Sequence, residues 1–206
     1  MKTKKINFVS LGCSKNTVDS EKIAGELSKE GFKVEFNSNE KDFSFVLINT
    51  CGFIDKAKEE SINTILEFVN LKKEEKDLKI IVFGCLAQRY KEELRKEIPE
   101  IDRVFGLMQE KEIVNYILSS SLEPLISLEP LMQSSKRQLS TPKHYAYLKI
   151  SEGCDRRCSF CAIPLIRGKY ISRSIEEIVE EAKQMIEQGV KEIILIAQDT
   201  TYYGLD

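Results

Sequence analysis

YAYLKISEGCDRRCSFC, residues 145–161, runs from a β-patterned segment through Gly153 into three thiols, Cys154, Cys158 and Cys161. The spacing C-x-x-x-C-x-x-C, on a loop rather than a helix, lets three thiolates converge on one iron–sulfur cluster. A [4Fe–4S] cube is ordinarily held by four Cys ligands. Three leave one iron without a protein ligand, and an open iron is where a cofactor or substrate can bind. A structural zinc site is the alternative, but such sites close with four N or S ligands. The nearest further candidate is His144, the one histidine of the chain.

The residues after this loop extend the pattern. Ser174-Ile175-Glu176-Glu177 has the form of a capping box, with Ser174 as N-cap and Glu177 reaching back. The helix it opens carries Ile175, Ile178, Val179, Ala182, Met185 and Ile186 on one face and ends near Gly189. Glu192 to Ala197 reads as a strand, as does His144 to Ile150 before the loop. This β-loop-α-β order is the opening of a (β/α) barrel or a sheet of that type, and closing a barrel takes far more chain than Asp206 allows. A truncated partial barrel over residues 143–206 is therefore expected.

Upstream the periodicity fades between Ser119 and Lys143. Ser119-Ser120-Ser121, Pro124, Pro130, Ser134-Ser135 and Pro142 mark a linker or surface excursion, set at 121–142. Residues 1–120 before it alternate strand and helix patterns. The expected strands are Ile6 to Leu11, Phe32 to Phe36, Phe43 to Ile48, Leu78 to Phe83 and Arg103 to Phe105. Helices are expected over Val18 to Lys29, along a stripe of Ile62, Ile65, Leu66 and Val69, over Ala87 to Lys96, and over Glu110 to Leu118. Alternation at these lengths predicts an α/β domain, a parallel sheet covered on both faces.

Cys13, Cys51 and Cys85 each stand just past a predicted strand, beside Gly12, Gly52 and Gly84. In open α/β sheets the carboxyl ends of parallel strands share one edge, and ligands bind in the crevice there. Any one of these cysteines alone reads as a small buried residue. Three at equivalent positions point to a second three-thiol site, again with one open iron.

Composition sets the remaining limits. With 31 Lys and Arg against 33 Asp and Glu, the formal charge is −2, which offers no bulk attraction to nucleic acid. Met1-Lys2-Thr3-Lys4-Lys5 leads only into the short apolar run Ile6 to Leu11, so neither a signal peptide nor a transmembrane helix is expected. A cytoplasmic location follows, in which six cysteines are reduced thiols rather than disulfides.

Cys154, Cys158 and Cys161, with Phe160 before the last, resemble the signature of the radical S-adenosylmethionine (SAM) enzymes. Gly12-Cys13-Ser14-Lys15-Asn16, Asn49-Thr50-Cys51-Gly52-Phe53-Ile54 and Gly84-Cys85-Leu86-Ala87-Gln88-Arg89 resemble the methylthiotransferase domain. Together they place the chain near the radical SAM methylthiotransferase family. Within it, Ser14-Lys15-Asn16-Thr17-Val18-Asp19-Ser20-Glu21 and Ala197-Gln198-Asp199-Thr200-Thr201-Tyr202-Tyr203-Gly204 match the branch acting on a ribosomal protein. The tRNA branch typically has Gln-Met at positions 14 and 15.

The resemblance implies two [4Fe–4S] clusters and SAM as cofactors. Cys154, Cys158 and Cys161 would hold the cluster whose open iron binds the SAM amino and carboxylate groups. One electron then cleaves SAM to a 5′-deoxyadenosyl radical, which abstracts a hydrogen from an unactivated carbon. Cys13, Cys51 and Cys85 would hold the auxiliary cluster that presents sulfur. The implied reaction adds a methylthio group to the β-carbon of an aspartate of a small-subunit ribosomal protein. An electron donor, flavodoxin-like or another reductant, is the implied partner.

No catalytic side chain beyond the cluster ligands is assigned. Phe160 is expected against the SAM adenine or else in the core, Arg167 beside cofactor or cluster or else solvated on the surface, and Gln198 near the SAM amino group. Asp155, Arg156 and Arg157 are expected to be a solvated loop. Two other readings stay open: a tRNA adenosine methylthiotransferase, and a non-catalytic iron–sulfur module if the chain is the whole protein.

Overall fold

The computed structural model describes residues 4–121 and 136–206. The first part runs β1 (Lys5–Ser10), α1 (Ser14–Lys29), β2 (Lys33–Phe36), β3 (Phe45–Thr50), α2 (Asp55–Glu74), β4 (Lys79–Gly84), α3 (Cys85–Arg89), α4 (Lys91–Glu97), β5 (Arg103–Val104) and α5 (Glu110–Ser121). Its strands pair in parallel in the order β2-β1-β3-β4-β5. Crossover helices cover both faces of such a sheet, and β3 is buried at every position.

Successive side chains of a strand point to opposite faces. Phe45, Leu47, Ile81 and Phe83 accordingly pack with Ile23 and Leu27 of α1 and Ile113 and Ile117 of α5. Val46, Ile48, Ile80 and Val82 pack on the other side with Ile65 and Val69 of α2 and Leu86 and Leu94. The chain leaves β1 toward β2 on one side and returns to β3 on the other. The crevice of this sheet therefore opens between the ends of β1 and β3.

Three elements differ from their sequence patterns. Helix α1 starts at Ser14 rather than Val18, with Cys13 as N-cap in extended backbone (φ −114°, ψ 167°). Its first turn is polar and carries no apolar stripe to read, yet Asn16 there is fully buried. The helix expected over 87–96 is two, broken at Tyr90 (φ −127°, ψ 37°). On α2 the buried stripe runs through Ser61, Ile65 and Val69, and Leu66 faces water at 42% exposure.

The second part runs β6 (Tyr145–Lys149), β7 (Ser151–Glu152), α6 (Ile163–Arg167), β8 (Ile171–Ser172), α7 (Ile175–Glu187) and β9 (Glu192–Ile196), then a short 3-10 turn at Thr200–Tyr202. Strands β6 and β9 pair in parallel, and β7 and β8 form an antiparallel ribbon at the neck of the cysteine loop. The expected cap on α7 is present: Ser174 Oγ accepts from the Glu177 N–H at 3.2 Å. Of its apolar residues, Met185 is buried and Ile178 and Ala182 pack partly against β6. Ile175, Val179 and Ile186 are exposed. A sheet of two strands is too narrow to cover the whole stripe.

Of the expected linker, Pro124, Pro130 and Ser134-Ser135 lie outside the described residues, while Arg137, Gln138 and Ser140 all bond Glu21 of α1. Ser140 donates from both its N–H and its hydroxyl to Glu21 Oε1, each at 2.7 Å. Arg137 is buried between Glu21 (2.9 Å) and Glu181 (2.6 Å).

Candidate functional site

Cys13 follows β1 as the cap of α1, Cys51 follows β3 directly, and Cys85 opens α3 at the end of β4. Parallel pairing puts all three turns on one sheet edge, and two glycines let them close up. A Cβ at Gly12 (φ +88°) would lie 2.6 Å from Cys51 Cβ and 2.8 Å from its Sγ. One at Gly52 would lie 2.7 Å from the Leu86 backbone. Real side chains do not fit at such separations, so only glycine permits the approach.

Cys13 is exposed, Cys51 half-buried and Cys85 buried. Burial pushes the Cys85 thiol up, the Arg167 charge opposes this, and Cys13 and Cys51 add to the rise, so the three sulfurs sense one another. Among the described residues no three His, Cys, Asp or Glu side chains gather tightly enough for a single ion. Tetrahedral zinc, with Zn–S bonds of about 2.3 Å, needs sulfurs about 4 Å apart. A four-iron cube places each thiolate on its own iron and accepts a wider set.

In the second triad Cys154 is buried, Cys161 half-buried and Cys158 exposed. The Cys154 N–H donates to the Gly168 carbonyl (3.1 Å) and the Cys161 N–H to that of Cys158 (3.1 Å). The expected solvated loop is partly tied down. Asp155 accepts from the Tyr170 N–H at 3.2 Å, and Arg156 pairs with Asp199 at 2.9 Å and lies over the Tyr202 ring. Phe160 is 90% exposed, which overturns the core role and leaves its ring in water beside the thiols.

Arg167 corrects the surface reading more sharply. It is 7% exposed and bonds Glu152 (2.9 Å), Asp19 (3.3 Å) and Asn16 Oδ1 (2.8 Å). Lys149 pairs with Asp19 and with Glu152 (2.7 Å). Gln198 donates to Glu152 Oε1 at 3.0 Å, and its own Oε1 is buried without a partner among the described residues. Two acids and two bases thus form a neutral quartet, buried but for a half-buried Glu152, across the contact between the two parts.

Asn16, Asp19, Lys149 and Glu152 lie within the quoted motifs, but the sequence alone gives none of them a site role. One signal was available: polar residues at 16 and 19 sit where the buried face of α1 begins.

Burial would raise the Glu152 carboxyl, but the Lys149 and Arg167 charges outweigh it and hold it at about 2. Its ionised form therefore favours the folded chain at neutral pH. That contribution, roughly 3 kcal/mol, is lost as pH falls from about 4.5 toward 2. Urea unfolding from pH 7 to pH 2.5 is expected to show the loss in the native chain and a shallower decline in Glu152→Gln. Equal declines would contradict the assignment.

A cleft of about 610 Å³ lies among Lys22, Val114, Arg137 and Arg173 and has no thiol in its lining. Smaller ones adjoin the chemistry. One of about 200 Å³ is lined by Gln88, Met108, Glu152 and Arg167, and one of about 160 Å³ by Cys154, Arg156, Tyr170 and Asp199. Cys154 lines the smaller of these two, whereas the cleft of about 610 Å³ is lined by no cysteine.

Two family models match the chain: uncharacterized protein family UPF0004 over residues 5–106 and the radical SAM superfamily over 148–205. Over all of its length the chain is 53% identical to the ribosomal protein uS12 methylthiotransferase RimO of Sulfurihydrogenibium sp. (strain YO3AOP1), spanning 45% of that protein. It is 54% identical over 98% of its length to the RimO of Aquifex aeolicus (strain VF5), spanning 43%. The chain thus covers less than half the length of these relatives. Among solved structures, the cobalamin-dependent SAM radical enzyme OxsB matches 93% of the chain and 34% of its own, with TM-score 0.54 and 13% identity, a likeness of fold alone.

Proposed function

We propose that the chain belongs to the radical SAM methylthiotransferases, a UPF0004 match leading into a radical SAM match, and that it is part of an enzyme that methylthiolates ribosomal protein uS12. The target in this reading is the β-carbon of an aspartate. The observation that carries it is the joining of two three-thiol sets through one segment. Gly168 bonds the backbone of Cys154, and the preceding Arg167 reaches the surroundings of Cys85.

Each set offers three sulfur donors, which fits a [4Fe–4S] cube with one open iron. Cys154, Cys158 and Cys161 would hold the SAM-binding cluster, and Cys13, Cys51 and Cys85 the auxiliary one. When bound, these groups supply the electron, the radical and the sulfur that side chains cannot.

The chain's own residues orient and shield. The β7–β8 ribbon fixes the neck of the second loop, and Gly12 and Gly52 bring the first three turns together. Phe160 offers an exposed ring for an adenine, and Gln198, held by Glu152, lies at the strand end where a SAM amino group would be received. Arg167 serves the clusters rather than SAM. In this reading residues 1–120 form the auxiliary-cluster domain, 121–142 connect, and 143–206 open the radical SAM domain. A cytoplasmic setting and a flavodoxin-like reductant belong to it. No helix among the described residues is long and apolar enough to cross a membrane. Ser14-Lys15-Asn16 and Asp199-Thr200-Thr201 support the ribosomal-protein branch over the tRNA branch.

Anaerobic reconstitution with iron and sulfide counting tests the proposal. The expected result is two cubes, about eight irons, with two low-temperature paramagnetic signals on reduction. Cys154→Ala should remove only the SAM-responsive signal and Cys13→Ala only the other. A single zinc, or no metal, would overturn it.

A further inference from the structure

We propose that Asn16 and Arg167 are positioning residues of the first triad. Asn16 holds its three cysteine turns in register, and Arg167, brought by the second domain, sets the potential of the cluster they hold. The second half rests on the proposal that Cys13, Cys51 and Cys85 bind a cluster.

An Asn amide has two donors and an oxygen with two acceptor sites, and here each reaches a different segment. Asn16 Nδ2 donates to the carbonyls of Leu11 (2.8 Å) and Thr50 (3.2 Å), which lie just before Gly12-Cys13 and Cys51. Its Oδ1 accepts from Arg167 Nη2 (2.8 Å) and faces Cys85 Sγ at 3.8 Å. Its backbone carbonyl accepts from Asn49 Nδ2 at 2.8 Å, which ties the hub to β3. One fully buried side chain therefore touches the turn after β1, the turn after β3, the start of α3 and the end of α6. Aspartate would keep the acceptors and lose both donors. Leucine would offer neither carbonyl a donor.

Arg167 completes the set from the other domain. Its guanidinium is held in one orientation by Glu152 and Asp19 on one side and by Asn16 on the other. In that orientation its Nη2 meets the same Asn16 oxygen that Cys85 Sγ faces, so the cation stands one atom away from that sulfur. Donors and charge at the ligating sulfurs are among the determinants of cluster potential. A fixed cation there favours the state with the extra electron. The potential of the first site then depends on the docking of the second domain.

The experiment uses the 206-residue chain with Cys154, Cys158 and Cys161 replaced by Ala, so that only the first triad can hold a cluster. After anaerobic reconstitution the midpoint is read by paramagnetic resonance during a redox titration. Arg167→Met is expected to lower the reduced-to-oxidised ratio at fixed potential about tenfold, a shift of about 59 mV for one electron. Arg167→Lys, which keeps the charge, should stay within about threefold. Because Arg167→Met leaves buried acids in excess, the pair Arg167→Met with Glu152→Gln restores neutrality and should shift the midpoint in the same direction.

Asn16→Ala is read without metal, by hydrogen exchange at Gly12, Cys13, Cys51 and Gly52, which should quicken at least tenfold. Unchanged midpoints in both Arg167→Met chains, or unchanged exchange in Asn16→Ala, would overturn the corresponding half. Failure of the Cys154/Cys158/Cys161 variant to take up any iron would instead overturn the cluster reading, and the Arg167 half with it.

Discussion

Asp19→Ala is expected to lower the unfolding free energy by about 3–5 kcal/mol, the range for breaking a buried ion pair from one side. Asp19 is 6% exposed and pairs with both Lys149 and Arg167. With Glu152 the four groups sum to zero charge. Removing one acid leaves two buried cations sharing a single carboxylate. Urea denaturation followed by circular dichroism gives the loss. A cycle with Lys149→Met isolates the pair, since the double variant restores balance and should recover part of the deficit. A loss under 1 kcal/mol would mean that water reaches the quartet.

Phe8→Ala is expected to cost a similar 3–5 kcal/mol, for a different reason. Phe8 is fully buried at the middle of β1, with its ring 5.7 Å from that of Phe36. Strand β1 sits between β2 and β3, so a void there lies under α1, the helix that carries Asn16 and Asp19. Collapse around it would shift the helix, and rigid surroundings would leave a cavity; each is destabilising. The urea midpoint should fall with an unchanged slope. A loss below about 1.5 kcal/mol would show that the site relaxes around the smaller residue.

The sheet was legible because parallel strands buried on both faces read as unbroken apolar runs, such as Phe45 to Ile48, and glycine or polar residues end them. The cysteines were legible because their positions depend only on where strands end, which pattern shows well. The quartet was not. Asp19, Lys149, Glu152 and Arg167 each look like surface charges in their own segments, and only tertiary pairing makes burial tolerable. Arg167 on a short loop helix and Arg137 in a Ser- and Pro-rich stretch gave no local sign of their partners. The break at Tyr90 escaped for a related reason: helix-favouring residues continue across it, and the ring that packs on the core there leaves no local mark.

The distance along the chain between Asp19 and Lys149, 130 residues, has a consequence for biogenesis. At about 5–20 residues per second, helix α1 waits on the order of 6–26 s for the strand that will neutralise it. Throughout that interval Asp19 has neither of the cations that cover it in the finished chain. Asp19 is taken out of water only when those partners arrive.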